Sequence, residues 1–324
     1  MANLFLYANG RVAALDKDIL PVRIWQMLLS ARDLEEAHRL LAGTWYGAFL
    51  AHGDLETCFE LAIQATEQEL VDLSEEPGLI RGILHRRDVR NARYVWKAAL
   101  CGSRPPFDLG LERAGLVPVE ILSAAPADPE VAGQLPPLFE QALAGILSIE
   151  NPTVREVDTA MDHLAARVEL EELPGMGPVF ADLLKARFDF LNFLTAGRAS
   201  LAAIPASSIT GMLMQGGSRQ PDEIVAALQE GRLPSLLSET PQFEKLGPVL
   251  KNALSERSFL EFEREGERIL MSMIELGSFA VFGPAPLASF VLKRELEISH
   301  LRILLAAKAS GMDRNRLLKR LPRG

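Results

Sequence analysis

The sequence predicts an all-α fold of three similar helical domains, and three observations carry that expectation. First, Leu (53 residues) outnumbers Val plus Ile (31) and aromatics are only 6%; unbranched side chains favour helix, whereas sheets draw on β-branched and aromatic ones. Second, apolar residues recur at helical spacing, as in Ile24, Met27, Leu28, Leu34, Ala37, Leu40 and Leu41. Third, a short polar motif returns three times along the chain. A length of 324 residues suits two or three domains. At 48% hydrophobic and 24% charged, the composition is that of a globular chain with a sizeable core and not of a disordered one.

Taken from the N-terminus, residues 1–20 place Arg11, Asp16, Lys17 and Asp18 where a signal peptide needs an apolar run. No targeting segment is expected there. Arg23–Leu41 reads as a helix. Asp54–Glu76 carries eight acids and no Lys or Arg, the pattern of a solvated acidic face. Seven of the twenty prolines fall between Pro105 and Pro137, which marks the strongest domain boundary. Pro152-Thr153-Val154-Arg155-Glu156 opens a further helix. A weaker joint runs from Gly216-Gly217 through Pro221, Pro234 and Pro241.

Ile269–Leu292 is 24 residues long with Glu275 as its one charge, long enough to span a bilayer. Gly277, Gly283, Pro284 and Pro286 interrupt it, so it is expected to form two buried helices joined by a turn, without membrane insertion. The last 32 residues hold nine bases and three acids, which splits the net −9 into +6 there and −15 before it. Cys58 and Cys101 make no disulfide framework, consistent with a reducing compartment.

The repeat is the most informative feature. Ile83-Leu84-His85-Arg86-Arg87-Asp88-Val89-Arg90-Asn91 matches Leu184-Lys185-Ala186-Arg187-Phe188-Asp189-Phe190-Leu191-Asn192, with Arg, Asp and Asn at equal offsets. In the last third, Glu297 and His300 replace the Asp and Asn; the acids are 101 and 108 residues apart. Lys97 and Arg198 each follow the Asn by six, and Gly115 with Glu120-Ile121 resembles Gly217 with Glu223-Ile224. Domains are drawn at 1–125, 126–235 and 236–324. On a helix, i and i+3 share a face, so Asp88/Asn91, Asp189/Asn192 and Glu297/His300 are neighbours. Set among apolar residues they need hydrogen-bond partners. The expectation is that each pair, helped by Arg86 or Arg187, ties its helix to an adjacent loop. Three copies spread over three units do not converge on a catalytic site.

With these motifs in view, the chain resembles the C subunit of the V-type/A-type rotary ATPase, in the family that includes the d subunit of eukaryotic V-ATPase. The match rests on Tyr7-Ala8-Asn9-Gly10-Arg11-Val12, which is similar to the family's Tyr-x-Asn-Ala-Arg-Val start, and on Asp88-x-x-Asn91 leading to Lys97-Ala98-Ala99-Leu100-Cys101-Gly102. It rests also on the repeat and on Gly283-Pro284-Ala285-Pro286-Leu287 followed by Lys293, Glu297, Leu301 and Arg302. Gly10, Phe290 and His300 depart from the family's usual Ala, Tyr and Asn. The resemblance implies a funnel of three helical domains about a pseudo-threefold axis. It implies a non-catalytic, cofactor-free part of the central stalk on the cytoplasmic side, which receives the central shaft made by the D and F subunits and caps the membrane proteolipid ring.

The residues agree with that reading. No GxxxxGK[ST] loop is present and the five His show no metal-ligand spacing. The basic C-terminal helix (Lys293, Arg294, Arg302, Lys308, Arg314, Arg316) is the candidate partner interface. One motif points elsewhere: Leu173-Pro174-Gly175-Met176-Gly177-Pro178-Val179-Phe180-Ala181 looks like a helix-hairpin-helix DNA-binding turn. Pro178 lacks an N–H, Asp182 is acidic and the body is negative, so a plain helix–helix turn is preferred and nucleic acid is not expected. A free-standing helical scaffold is the third reading.

Overall fold

The computed structural model describes residues 5–51, 54–74, 77–102, 115–172, 178–314, 317 and 321. Among them every regular element is a helix, so the all-α expectation holds. The chain begins with α1 (Leu6–Leu15) and a 3₁₀ turn (Asp16–Asp18), followed by α2 (Val22–Ser30) and α3 (Leu34–Ala42). The single helix expected over Arg23–Leu41 is therefore two. Asp33 stops it: its carboxylate accepts the Glu36 N–H at 2.8 Å, while Glu36 accepts the Arg32 N–H at 2.8 Å. This reciprocal cap starts a new helix where apolar spacing alone ran through.

Next come α4 (Gly47–Leu50), α5 (Leu55–Leu73), α6 (Pro77–Cys101), α7 (Val119–Ala124), α8 (Pro129–Ala132) and α9 (Pro137–Leu147). The helix expected from Pro152 is α10 (Val154–Glu172). Thr153 caps it: its Oγ1 accepts the Glu156 N–H at 3.3 Å, and Glu156 accepts the Thr153 N–H at 2.8 Å. The remainder is α11 (Pro178–Leu201), α12 (Ala206–Thr210), α13 (Pro221–Gln229), α14 (Leu233–Ser238), α15 (Gly247–Glu256), α16 (Leu260–Ser278) and α17 (Ala285–Ala309).

The chain divides into two compact units. One comprises Ser74–Gly175 and Met214–Gly216. Its core sets Val89, Ala92 and Trp96 of α6 against Leu122, Phe139, Leu143, Val157, Met161 and Leu164. Trp96 buries its ring while its indole N–H donates to the Leu122 carbonyl at 2.9 Å. The core runs from Val89 to Val168, so the boundary expected between Pro105 and Pro137 does not separate two cores; residues 103–114 lie outside the described residues.

The other unit comprises Met1–Leu73, Met176–Leu213 and Gly217–Gly324, and its described residues form two cores. One gathers Phe190, Phe193, Ile224, Leu236, Phe243, Leu250 and Phe262, with the Phe190 and Phe262 ring centroids 5.4 Å apart. The second joins the two ends of the chain: Trp25, Leu28, Leu41, Tyr46 and Phe59 pack with Ile298, Leu301, Leu304 and Leu317. Cuts at 125 and 235 consequently do not follow the cores. The later half of the helix that carries Glu297 packs on residues 20–63, at the other end of the sequence, while α16 also lies against this helix.

One plan recurs in the three cores formed by the described residues. A helix of 24 or 25 residues bearing the repeated acid (α6, α11, α17) packs with a 19-residue helix (α10, α16, α5), and short helices fill in between. Each long pair is also ion-paired. Lys97 reaches Asp158 at 3.0 Å, Arg198 pairs with Glu263, and Arg302 contacts Glu56 and, at 2.7 Å, Glu60. Lys97 and Arg198, aligned by the sequence repeat, thus do the same job.

Candidate functional site

Each repeated acid is buried and holds a loop by its backbone. Asp88 is fully buried, and its carboxylate accepts N–H groups from Leu116 (2.9 Å) and Val117 (3.2 Å). Asp189 accepts from Ser218 at 2.9 Å and Arg219 at 3.0 Å. Glu297 accepts from Leu20 at 2.5 Å. All three loops run into a proline that opens the next short helix: Pro118 before α7, Pro221 in α13 and Pro21 before α2. A proline disfavours helical conformation in the residue before it, which keeps the helix from extending back into the loop that supplies the donors. The first two loops approach so closely that only glycine fits. A Cβ on Gly115 would lie 2.4 Å from Asp88 Oδ1, and one on Gly217 would lie 2.3 Å from Asp189 Oδ1.

Burial dominates the proton affinity of these acids. It raises the carboxyl pKa of Asp88, Asp189 and Glu297 above the ordinary range, and the loop N–H donors pull each back only in part. At Glu297 the counter-charge is Arg294, itself 1% exposed, at 2.7 Å. The Tyr46 hydroxyl donates to the same carboxylate at 2.7 Å, and burial holds the Tyr46 pKa well above its usual value. The Arg294 guanidinium lies 4.0 Å over the Trp45 ring, a cation–π contact. His300 is buried, edge-on to Trp25 at 6.4 Å, with Nε2 3.4 Å from Glu267 Oε2. Asn91 and Asn192 are buried one turn from their acids. Arg86 pairs with Glu169 of α10 at 3.6 Å.

Each of these is a clamp between a long helix and its own loop. Among the described residues no group of three His, Cys, Asp or Glu could hold a metal ion, and no helix is long and apolar enough to cross a membrane. The expected basic interface is largely satisfied from within. Lys293 pairs with Asp16 at 2.9 Å, Arg294 with Glu297, and Arg302 with Glu56 and Glu60. Lys308 donates to the Leu29 and Ala31 carbonyls. Arg314 is exposed, and Arg316 lies outside the described residues. Of the nine bases counted after Leu292, Lys293, Arg294 and Arg302 are thus matched by acids inside the fold, while Arg316, Lys319, Arg320 and Arg323 lie outside the described residues. Residues 173–177 of the hairpin-like motif also lie outside the described residues; Pro178 simply heads α11.

Comparison with known proteins decides the kind of chain this is. The family profile described as "ATP synthase (C/AC39) subunit" matches residues 8–320. The chain belongs to that family. Among similar proteins, the A-type ATP synthase C subunit of Thermococcus gammatolerans is 25% identical, covering 95% of this chain and 87% of the relative. The C subunit of Desulfurococcus sp. is 24% identical over 97% and 89%, and that of Methanococcoides burtonii 21% over 95% and 91%. The resemblance drawn from the motifs is thus to the right family, and this ATP synthase subunit matches its relatives over nearly the whole chain.

Asn9, quoted in the opening motif without a role, is a structural residue. Its side-chain amide donates to the Val281 and Gly283 carbonyls, both at 3.1 Å, and so holds the turn between α16 and α17. Its place in the Tyr7-x-Asn9 opening was the available signal. The two buried helices expected over Ile269–Leu292 are present as the end of α16 and the start of α17. Only the α17 half is well buried: Leu276, Phe279, Val281 and Phe282 are exposed.

Proposed function

We propose that this chain is the non-catalytic central-stalk C subunit of a V-type/A-type rotary ATPase. It takes the tip of the shaft formed by the D and F subunits, caps the membrane proteolipid ring on the cytoplasmic face, and passes torque between them. ATP-linked movement of protons or sodium depends on it, while the chemistry belongs to other parts of the machine. The chain comprises three modules of one plan, the third completed by the two ends of the sequence.

One observation carries this reading: the long helix of every module is fastened to its loop by a buried carboxylate and to its partner helix by an ion pair. A part that transmits torque has to resist deformation, and charge-assisted hydrogen bonds to a buried carboxylate in each module resist it better than apolar packing alone. The family and the relatives' names support the assignment to the rotary machine. The test is reconstitution. Purified chain mixed with D–F complex and with proteolipid ring should bind both. Membranes lacking it should retain ATP hydrolysis by the soluble catalytic head while losing ATP-driven ion uptake. Ion uptake undiminished without the chain would refute the proposal.

A further inference from the structure

The third copy of the repeat differs from the other two in one chemical respect. Where α6 and α11 carry Asn91 and Asn192, α17 carries His300. An amide stays neutral, whereas histidine is the side chain that changes charge between about pH 5 and 8. His300 is buried, and the group facing it comes from a neighbouring helix: Oε2 of Glu267 in α16 lies 3.4 Å from Nε2. The two helices serve different cores. α16 packs Phe262, Ile269 and Met273 into the core around Phe190, whereas α17 packs Ile298, Leu301 and Leu304 into the one that joins the chain ends. The contact therefore crosses the seam between those cores.

A neutral imidazole has one N–H and one lone pair; the protonated ring has an N–H at both nitrogens and a positive charge. Facing a carboxylate, that change turns a long contact into a charge-assisted one. Burial of the ring opposes the charge, and Glu267 favours it. Other charges on the elements packed around α17 have partners of their own. Glu297, one turn earlier, is matched by Arg294; Arg302, two residues on and about 200° around the helix, is matched by Glu56 and Glu60 of α5. Lys293 holds Asp16, Arg11 of α1 holds Glu69, and Arg198 of α11 holds Glu263. On α3, Glu35 and Glu36 pair with Arg39 and Arg32. On α16, Arg264 and Arg268 lean on Glu265, and α2 sets Trp25 edge-on to the ring. We propose that His300 and Glu267 form a proton-operated strap between α17 and α16, slack when the ring is neutral and drawn tight when it is protonated. Acidification then makes the two cores move more nearly as one.

The experiment is a double-mutant cycle in the full chain: wild type, His300→Asn, Glu267→Gln and the two together, each unfolded in urea at about pH 8 and about pH 5.5. Asn is what the other two copies place there, so His300→Asn should fold, and an ordinary carboxylate stays ionised across this range. Titration elsewhere, including any of His38 on α3, is common to all four proteins and cancels. The coupling between the two side chains should multiply the folding constant by about three- to fivefold at the acid pH and by less than about 1.5-fold at the alkaline one. If His300→Asn folds poorly, Glu267→Gln alone carries the test, and its cost should grow by about the same factor on acidification. A coupling equal at the two pH values, larger at the alkaline one, or absent at both would overturn the inference. So would a Glu267→Gln cost that does not change with pH.

Discussion

Gly217→Ala places a methyl group 2.3 Å from Asp189 Oδ1 and 3.4 Å from the Asp189 backbone nitrogen. Carbon and oxygen settle at about 3.3–3.6 Å, so the loop has to retreat by about 1 Å. The Ser218 and Arg219 N–H groups now sit 2.9 and 3.0 Å from the carboxylate, and the same retreat takes both beyond hydrogen-bond range. A hydrogen bond to a charged group contributes about 1.5–3 kcal/mol, and stranding a buried charge costs about 3–5 kcal/mol. These overlap, so the expected loss is about 3–5 kcal/mol in all. Gly217 is not among the positive-φ glycines, so the penalty is steric and not conformational. Urea unfolding followed by far-UV circular dichroism measures it. Gly145→Ala serves as control: its Cβ meets nothing within 4 Å in α9, and the better helix former should stabilise by about 0.5–1 kcal/mol. In an Asp189→Asn background the Gly217 substitution should lose much of its cost, because the shared charge has gone. A loss below about 1 kcal/mol, or an undiminished loss in the Asn background, would refute the clamp.

Two further outcomes follow from the buried acids. Glu297→Gln leaves Arg294 buried without a counter-charge and should destabilise by about 3–5 kcal/mol, whereas Arg294→Met/Glu297→Gln should cost less, because no charge is left stranded; equal losses in urea unfolding would show that the charge is not what matters. The pH response of Asp189 should run opposite to that of an exposed salt bridge. Its folded pKa is raised by burial, so between the ordinary carboxylate value of about 4 and that raised value the folded state holds more protons than the unfolded one. The site's contribution to stability then falls as pH rises through this window and recovers on acidification. The wild-type advantage over Asp189→Asn, measured in urea series across that window, should accordingly be larger at the acid end; the reverse slope would mean that the Ser218 and Arg219 donors outweigh burial.

What the sequence determined by itself is local. Leu-rich helical spacing, the Thr153/Glu156 cap, the prolines opening short helices and the three acids at matching offsets were all legible, because helix conformation and capping are decided within a few residues. The break at Asp33 was legible too, in its Asp-x-x-Glu pattern, but continuous apolar spacing from Ile24 to Leu41 masked it. Tertiary structure alone decided which surfaces meet. Burial of apolar surface is non-directional, so nothing in α17 specifies that Leu301 and Leu304 pack on Trp25 and Phe59 from the far end of the chain. For the same reason the basic stretch after Lys293 looked like a surface for a partner. Its counter-ions Asp16, Glu56 and Glu60 are some 240–280 positions away and become neighbours only when the two ends share one core. Charge along a chain counts residues; charge on a surface depends on which of them folding has already paired.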